Sequence, residues 1–398
     1  MSRLFYLEKN AMKYTEDNTL LKTEFAIFLT GMVAFAALHC LQPIIPVIGA
    51  DLKLQPATAS TLIAAGMLGM AGTLLLLTFF AECLPRKKFI VFGMFSCSIL
   101  TLVLGQLPAI SIMLLLRFLE GCVIALVPTL IMAYIQENLP EKKQAFLAGL
   151  YISGTTIGGL SGRLSVSFLT DIFHWRIALS VCGILLLLLA IIAALLLPKE
   201  QKRVHKQNDS SLEIFSSKHK KLFFLCFIGF TIMGNYVATC NFIAYDLKAA
   251  PYNFSQSIIG LIFLAQIFGS ISSAASAKLV TRFGSVHVIA GNLLLMLAGI
   301  LGTSLPAAVA KILGLCAINF ALFGAHACLT TLCSKVYSEQ KAASVAIYMF
   351  CYYLGASVIG STGGIFFQRM GWNGIVLMVA ILCLASLTVL YLFKKEYR

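Results

Sequence analysis

Arg117 and Glu120 stand three residues apart inside LLLRFLEGCVIALVPTLIMAYI (residues 114–135), a run that otherwise has the composition of a membrane interior. A charge at the centre of a bilayer costs roughly 2.5–3.5 kcal/mol on insertion scales, so two such charges need a purpose. Their spacing puts both side chains on one helix face, where they pair. At 1.5 Å per residue, a helix entering near Ala109 carries Arg117 about 10–12 Å deep and Glu120 about 15 Å deep. A third charge, Arg163, falls at similar depth in the following apolar run. Two arginines and one carboxylate are therefore expected to converge.

Three chemistries suit that group. Glu120 is a proton carrier whose pairing with Arg117 or Arg163 changes between conformations; or one arginine binds an anionic substrate while Glu120 orients the other; or the charges form a fixed pair that locks two helices together. Glu120 is the only Asp or Glu well inside an apolar run, which favours the first. The sequence alone leaves all three open. His39, Gln42, Asn235 and Asn319 lie at depths where side chains reach a central cavity, and with Arg117 they are the substrate-binding candidates. A histidine there titrates or binds ligand, whereas buried amides also glue helices together.

The elements that must hold these residues are membrane helices. Of the 398 residues 59% are hydrophobic and only 12% charged, half the charged share usual in soluble domains. Apolar runs long enough to cross about 30 Å of hydrocarbon recur at 24–48, 58–80, 88–106, 109–135, 144–170 and 176–197, then at 221–247, 256–280, 286–304, 307–334, 341–368 and 372–393. The fold class is an all-α membrane protein: twelve transmembrane helices in two six-helix bundles, residues 24–197 and 221–393. A cytoplasmic amino-terminal tail (1–23), a basic, polar linker (198–220) and a short carboxyl-terminal tail (394–398) complete the organisation. Residues 1–23 are polar and mixed in charge, unlike a cleaved signal peptide.

Thirty Lys and Arg residues carry the net charge of +14, and 23 of them fall in the tails, in the linker or after even-numbered spans. That asymmetry places both termini in the cytoplasm and assigns the charge to membrane topology instead of to nucleic acid. The twelve cysteines lie singly in apolar runs, without metal spacing, and read as reduced core residues. No nucleotide loop, metal-ligand set or Ser, His and acid constellation is visible. The chain is therefore not read as an enzyme, no cofactor or metal is expected, and a gradient must supply any driving energy.

The two halves repeat. Tyr151, Gly154, Gly159 and Gly162 recur 201 residues later as Tyr352, Gly355, Gly360 and Gly363, and Trp175 is echoed by Trp372. In folds built from such repeats the substrate site lies between them near the midplane. Gly154, Gly158, Gly159, Gly162, Gly355 and Gly360 suit close helix approach, expected at a sliding interface between the bundles.

Four stretches resemble the major facilitator superfamily. FFAECLPRKK (79–88) is similar to that family's motif between spans 2 and 3, with Glu82 as its acid and Arg86 and Lys87 as its basic pair, although Thr78 and Pro85 replace its glycines. RFLEG (117–121) is similar to its span-4 motif with Glu120 in a glutamine position, and GTTIGG (154–159) to the span-5 motif of exporters with Thr155 in place of proline. LHCLQPIIPVIGADL (38–52) and YISGTTIGGLSGR (151–163) resemble the YnfM-type branch of bacterial inner-membrane transport proteins. The resemblance implies alternating access by rocking bundles, a cavity lined by spans 1, 4, 7 and 10, a cytoplasmic gate at Glu82, Arg86 and Lys87, a monomer in a bacterial inner membrane, and small-molecule and proton partners. Proton-coupled efflux of a small organic molecule is the leading expectation. Proton-coupled import of a small organic anion is the alternative; a passive facilitator or a non-transporting membrane sensor on the same fold also fits.

Overall fold

A computed structural model of the chain describes residues 2–200, 220–336 and 341–393. Those residues are almost wholly helical and contain no strand. The amino-terminal half comprises α1 (Ser2–His39), α2 (Ile45–Asp51), α3 (Pro56–Phe80), α4 (Arg86–Leu104), α5 (Ile110–Asn138), α6 (Glu141–Ile172) and α7 (Trp175–Leu196). The carboxyl-terminal half comprises α8 (Lys220–Lys248), α9 (Gln256–Ile262), α10 (Ile267–Phe283), α11 (Ser285–Gly302), α12 (Ala308–Val336), α13 (Lys341–Met370) and α14 (Trp372–Phe393). The expected linker lies mostly outside the described residues, as does the tail at 394–398. Helix α1 starts at Ser2, so helix runs back through the stretch read as a tail; its apolar part begins at Leu20.

Eleven stretches among the described residues are long and apolar enough to cross a membrane. The expected twelfth is α6, whose 32 residues contain Gly149, Gly154, Gly158, Gly159, Gly162 and Arg163, which dilute its apolar character. It packs against α1 all the same. Tight turns separate neighbouring helices. Gly284 (φ +78°) and Gly371 (φ +59°) turn the chain between α10 and α11 and between α13 and α14 in a region that disfavours any side chain. Ser255 Oγ caps α9 by accepting from Ile258 N.

Two spans depart from regular α-helix part-way along. The first consists of α1, a tight turn at Gln42–Ile44 and α2. Pro43 and Pro46 lack the N–H groups a continuous helix would need there. The eighth runs on as one helical span, in which a 3₁₀ turn at Phe263–Gln266 joins α9 to α10. Broken helices mark binding sites in transporters because they bring backbone polar groups to mid-depth.

The glycine motif packs helices inside each half and not across the halves, contrary to the sliding-interface expectation. A Cβ on Gly154, Gly158 or Gly162 would meet the α1 backbone at Phe28, Met32 or Ala36, and one on Gly355 or Gly360 would meet α8 at Phe230 or Val237. Only Gly159 faces elsewhere, toward His39, Gln266 and Arg163. The contacts between halves run instead between α3 and α13, between α6 and the eighth span, and between the broken first span and α8.

A Cβ on Gly158 would lie 2.3 Å from the Met32 carbonyl oxygen, whereas one on Gly149 meets nothing within 4 Å. Gly158→Val is therefore expected to cost at least about 2 kcal/mol and to lower the thermal midpoint and folded yield in detergent. Gly149→Ala is expected to change neither by a measurable amount.

Candidate functional site

The end of α1 explains Arg117. The last carbonyls of any helix lack intrahelical partners, and here a proline-bearing break leaves them inside the protein at mid-depth. Arg117 reaches across from α5 and caps them: its Nη2 donates to Leu38 O at 3.0 Å and Nη1 to Ala37 O at 3.4 Å. Its Nε donates to Leu62 O of α3 at 3.2 Å, and Nη1 also pairs with Glu120 Oε2 at 2.5 Å. Thr101 of α4 donates to Glu120 Oε1 at 2.6 Å. Both charged side chains are essentially inaccessible. The pair thus ties α1, α3, α4 and α5 into one block, and a cation at a helix carboxyl terminus also favours the helix dipole. Gly66 makes room: a Cβ there would sit 3.0 Å from Arg117 Nη2.

Arg163 does not join that pair, so the expected convergence of two arginines on one carboxylate is corrected. From α6 it points at the seam between the halves and makes no ion pair among the described residues. It is wholly buried. Gln42 Oε1 accepts from its Nε at 3.1 Å and from Nη2 at 2.7 Å, and Gly159 O accepts from Nη1 at 3.3 Å. Gln266 Oε1, in the turn of the eighth span, accepts from Nη1. His39 Nδ1 lies 3.1 Å from Nη2 and Tyr236 Oη 3.5 Å from it, while the Phe263 ring sits under the guanidinium at 5.0 Å. An arginine only donates, so His39 Nδ1 is the acceptor and its ring proton lies on Nε2. Every partner of this buried cation is neutral.

Further bonds close the seam around it. Gln42 Nε2 donates to Asn241 Oδ1 at 3.0 Å, Gln256 Nε2 to Pro43 O at 2.6 Å and Tyr245 Oη to Ile45 O at 3.4 Å. At the end of α6, the Asp171 carboxylate accepts from Gln256 N at 3.0 Å and Ser257 N at 2.7 Å, capping the eighth span from the opposite half. The two halves are therefore bonded together at the end of the bundle that carries Asp171.

The remaining candidates disperse. Asn235 turns into the carboxyl-terminal half, its Nδ2 3.5 Å from Cys383 Sγ and 3.9 Å from Met296 Sδ and its buried Oδ1 without a partner. Asn319 donates to Leu315 O of its own helix and leaves its Oδ1 without a partner. Arg86 bonds Glu137 of α5 at 3.0 Å, and Lys87 donates from Nζ to Leu197 O at 2.5 Å and from its backbone N to Glu200 Oε2 at 2.8 Å. Arg86 thus binds inside the amino-terminal half, and Lys87 binds the end of α7 and the start of the linker. Glu82 is exposed in the turn Ala81–Cys83 beside them.

Sequence reasoning did not single out Gln266, Tyr236, Asn241, Gln256 or Asp171 as site residues. One signal was available: polar amides at 241 and 266 interrupt the seventh and eighth apolar runs, and a third, Gln256, opens the eighth.

If Arg117 were only half of an ion pair, replacing both partners by apolar residues of similar volume would restore most stability. Its capping of α1 predicts otherwise. Arg117→Met is expected to cost about 3–5 kcal/mol, and the double variant Arg117→Met, Glu120→Met to recover less than half of that loss in detergent thermal unfolding. Full recovery would reduce Arg117 to an ion-pair partner.

Comparisons with known proteins agree with this architecture. The Major Facilitator Superfamily model matches residues 27–360. The chain is 32% identical over 373 residues to the inner membrane transport protein YnfM of Escherichia coli (strain K12), covering 93% of this chain and 89% of that one. It is 30% identical over 370 residues to the uncharacterized MFS-type transporter YybF of Bacillus subtilis (strain 168), covering 92% of each. Among solved structures, the nucleoside transporter NupG superposes with a TM-score of 0.75 at 16% identity, covering 96% of this chain and 99% of that one, a likeness of fold. Eleven membrane-length apolar stretches among the described residues, an almost wholly helical fold and a family match over most of the length lead to one conclusion: this multi-pass membrane chain belongs to the major facilitator superfamily of transporters.

Proposed function

We propose that this transporter carries a small organic anion by alternating access, with Arg163 as the counter-charge that holds it. One observation carries the reading. Arg163 is a wholly buried guanidinium at the seam of the two halves, satisfied only by neutral groups from both of them. A buried charge without a counter-ion is costly, and an arriving carboxylate supplies that counter-ion in the bidentate geometry guanidinium favours. Gln42 and Gln266 hold its place with carboxamide oxygens and belong to different halves. An anion that displaces them loosens the seam, which links binding to movement of the halves.

The distribution of Lys and Arg supports cytoplasmic termini. Under that orientation the bonded Asp171 end faces outward. Proton-coupled efflux with Glu120 as the carrier is the second reading, favoured by the depth of that carboxylate. Its engagement by Arg117 and Thr101, away from the seam, weighs against it. The unpaired charge of Arg163 at the seam supports the anion role more directly.

The test is flux into proteoliposomes containing an internal pH dye, under an imposed pH gradient, with organic anions, organic cations and sugars supplied in turn. Anion-dependent flux is expected, reduced by at least about thirtyfold in Arg163→Gln. The sign of any accompanying proton movement separates symport from antiport. Proton flux lost in Glu120→Gln with anion binding intact would restore Glu120 as the carrier. Transport of cations or sugars that persists in Arg163→Gln would contradict the anion reading.

A further inference from the structure

Gly159, Arg163, Ser167 and Asp171 follow one another at four-residue intervals along α6, so they share a face. The eighth span (Gln256–Phe283) runs the opposite way against that face and answers it rung by rung. The Asp171 carboxylate accepts from the backbone N–H groups of Gln256 and Ser257, in the first turn of that span. A Cβ on Gly260 would lie 2.5 Å from Ser167 Cβ, so the Ser167 side chain rests directly on the Gly260 backbone. Phe263 lies under the Arg163 guanidinium, and Gln266 Oε1 accepts from it. A Cβ on Gly159 would in turn sit 3.6 Å from Gln266 Nε2.

The rungs differ in how they are held. Asp171 is exposed at the rim. Its bonds are charge-assisted and set at the start of a helical span, where an anion is favoured. Ser167, one turn inward, is wholly buried and its hydroxyl has no hydrogen-bond partner, so this rung is packing alone. Arg163 lies a further turn in, about 12 Å along the helix from Asp171, and is wholly buried too. On this face the two Asp171 bonds are therefore what stands between the rim and Arg163. The geometry points to Asp171 as the latch of an outer gate, an assignment that rests on the alternating access and cytoplasmic termini proposed above. While the latch holds the start of the eighth span, Ser167 stays seated on Gly260 and Arg163 is closed off from that end. When it releases, α6 and the eighth span part from the rim inward and uncover Arg163.

The test places a reporter thiol beneath the latch, Ser167→Cys, in the full-length protein in bacterial membrane vesicles of both orientations. A membrane-impermeant maleimide is added, and the rate of labelling at that position is read by mass spectrometry. With Asp171 intact the reporter is expected to react as slowly as the buried native thiols of Cys97 and Cys182. Asp171→Ala is expected to raise its rate at least about tenfold from the outer face and to leave it unchanged from the cytoplasmic face. Asp171→Asn, which keeps the side-chain shape and one acceptor oxygen, is expected to fall between the two. Cys97 and Cys182 should stay slow in every variant. A reporter that reacts equally fast with and without the Asp171 carboxylate would overturn the latch. So would a rise matched by Cys97 and Cys182, which marks a loosened fold. A rise confined to the cytoplasmic face would overturn the orientation and with it the outer assignment, and a rise from both faces at once would contradict alternating access itself.

Discussion

A helix that stops in the middle of a membrane protein leaves carbonyl groups that something must satisfy, since hydrocarbon offers no substitute for water. In this chain the first span stops at His39, ahead of Pro43, and Arg117 satisfies Ala37 and Leu38 from a different helix. Much of the amino-terminal half is arranged around that cap. Glu120 balances its charge, Thr101 fixes Glu120, and Gly66 clears the space that the guanidinium fills. The ion pair that looks out of place in the sequence is thus the consequence of a broken helix that its own helix packs against.

The same break serves a second arginine. Beyond the cap, the turn of the first span presents Gln42 to the seam, and the turn in the eighth span presents Gln266 from the opposite half. Arg163 bridges the two. The arginines therefore divide the work according to their partners. Arg117 has a carboxylate and three backbone carbonyls inside one half and holds it rigid. Arg163 has neutral side-chain partners from both halves and, in the proposed cycle, belongs to the part that rearranges. Rigid halves and a rearranging seam are what alternating access requires.

Much of this was legible in the sequence, for physical reasons that differ from residue to residue. Membrane-length apolar runs and the 201-residue echo of Tyr151 and its glycines reveal the paired bundles, because lipid forces every span to be apolar and helical. The Arg117 and Glu120 pair follows from helical spacing alone. The partners of Arg163 did not follow, because depth along a helix is readable but the direction a side chain faces across a bundle is not. The error with Gly154, Gly158 and Gly162 has the same origin: spacing predicts close approach to some helix, and only packing decides that the helix is α1. Pro43 was the overlooked clue, since a proline at mid-span implies freed carbonyls and hence a donor nearby.

The division of work between the two arginines is tested most directly by comparing Arg117→Gln and Arg163→Gln in thermal unfolding, in one detergent and without added solute. Arg117→Gln should lower the midpoint by about 10 °C or more, through the uncapped α1 and the unpaired Glu120. Arg163→Gln should leave the midpoint unchanged or raise it, because the charge it removes has no counter-ion in this state. Equal losses in both variants would contradict the account, showing Arg163 to be as structural as Arg117.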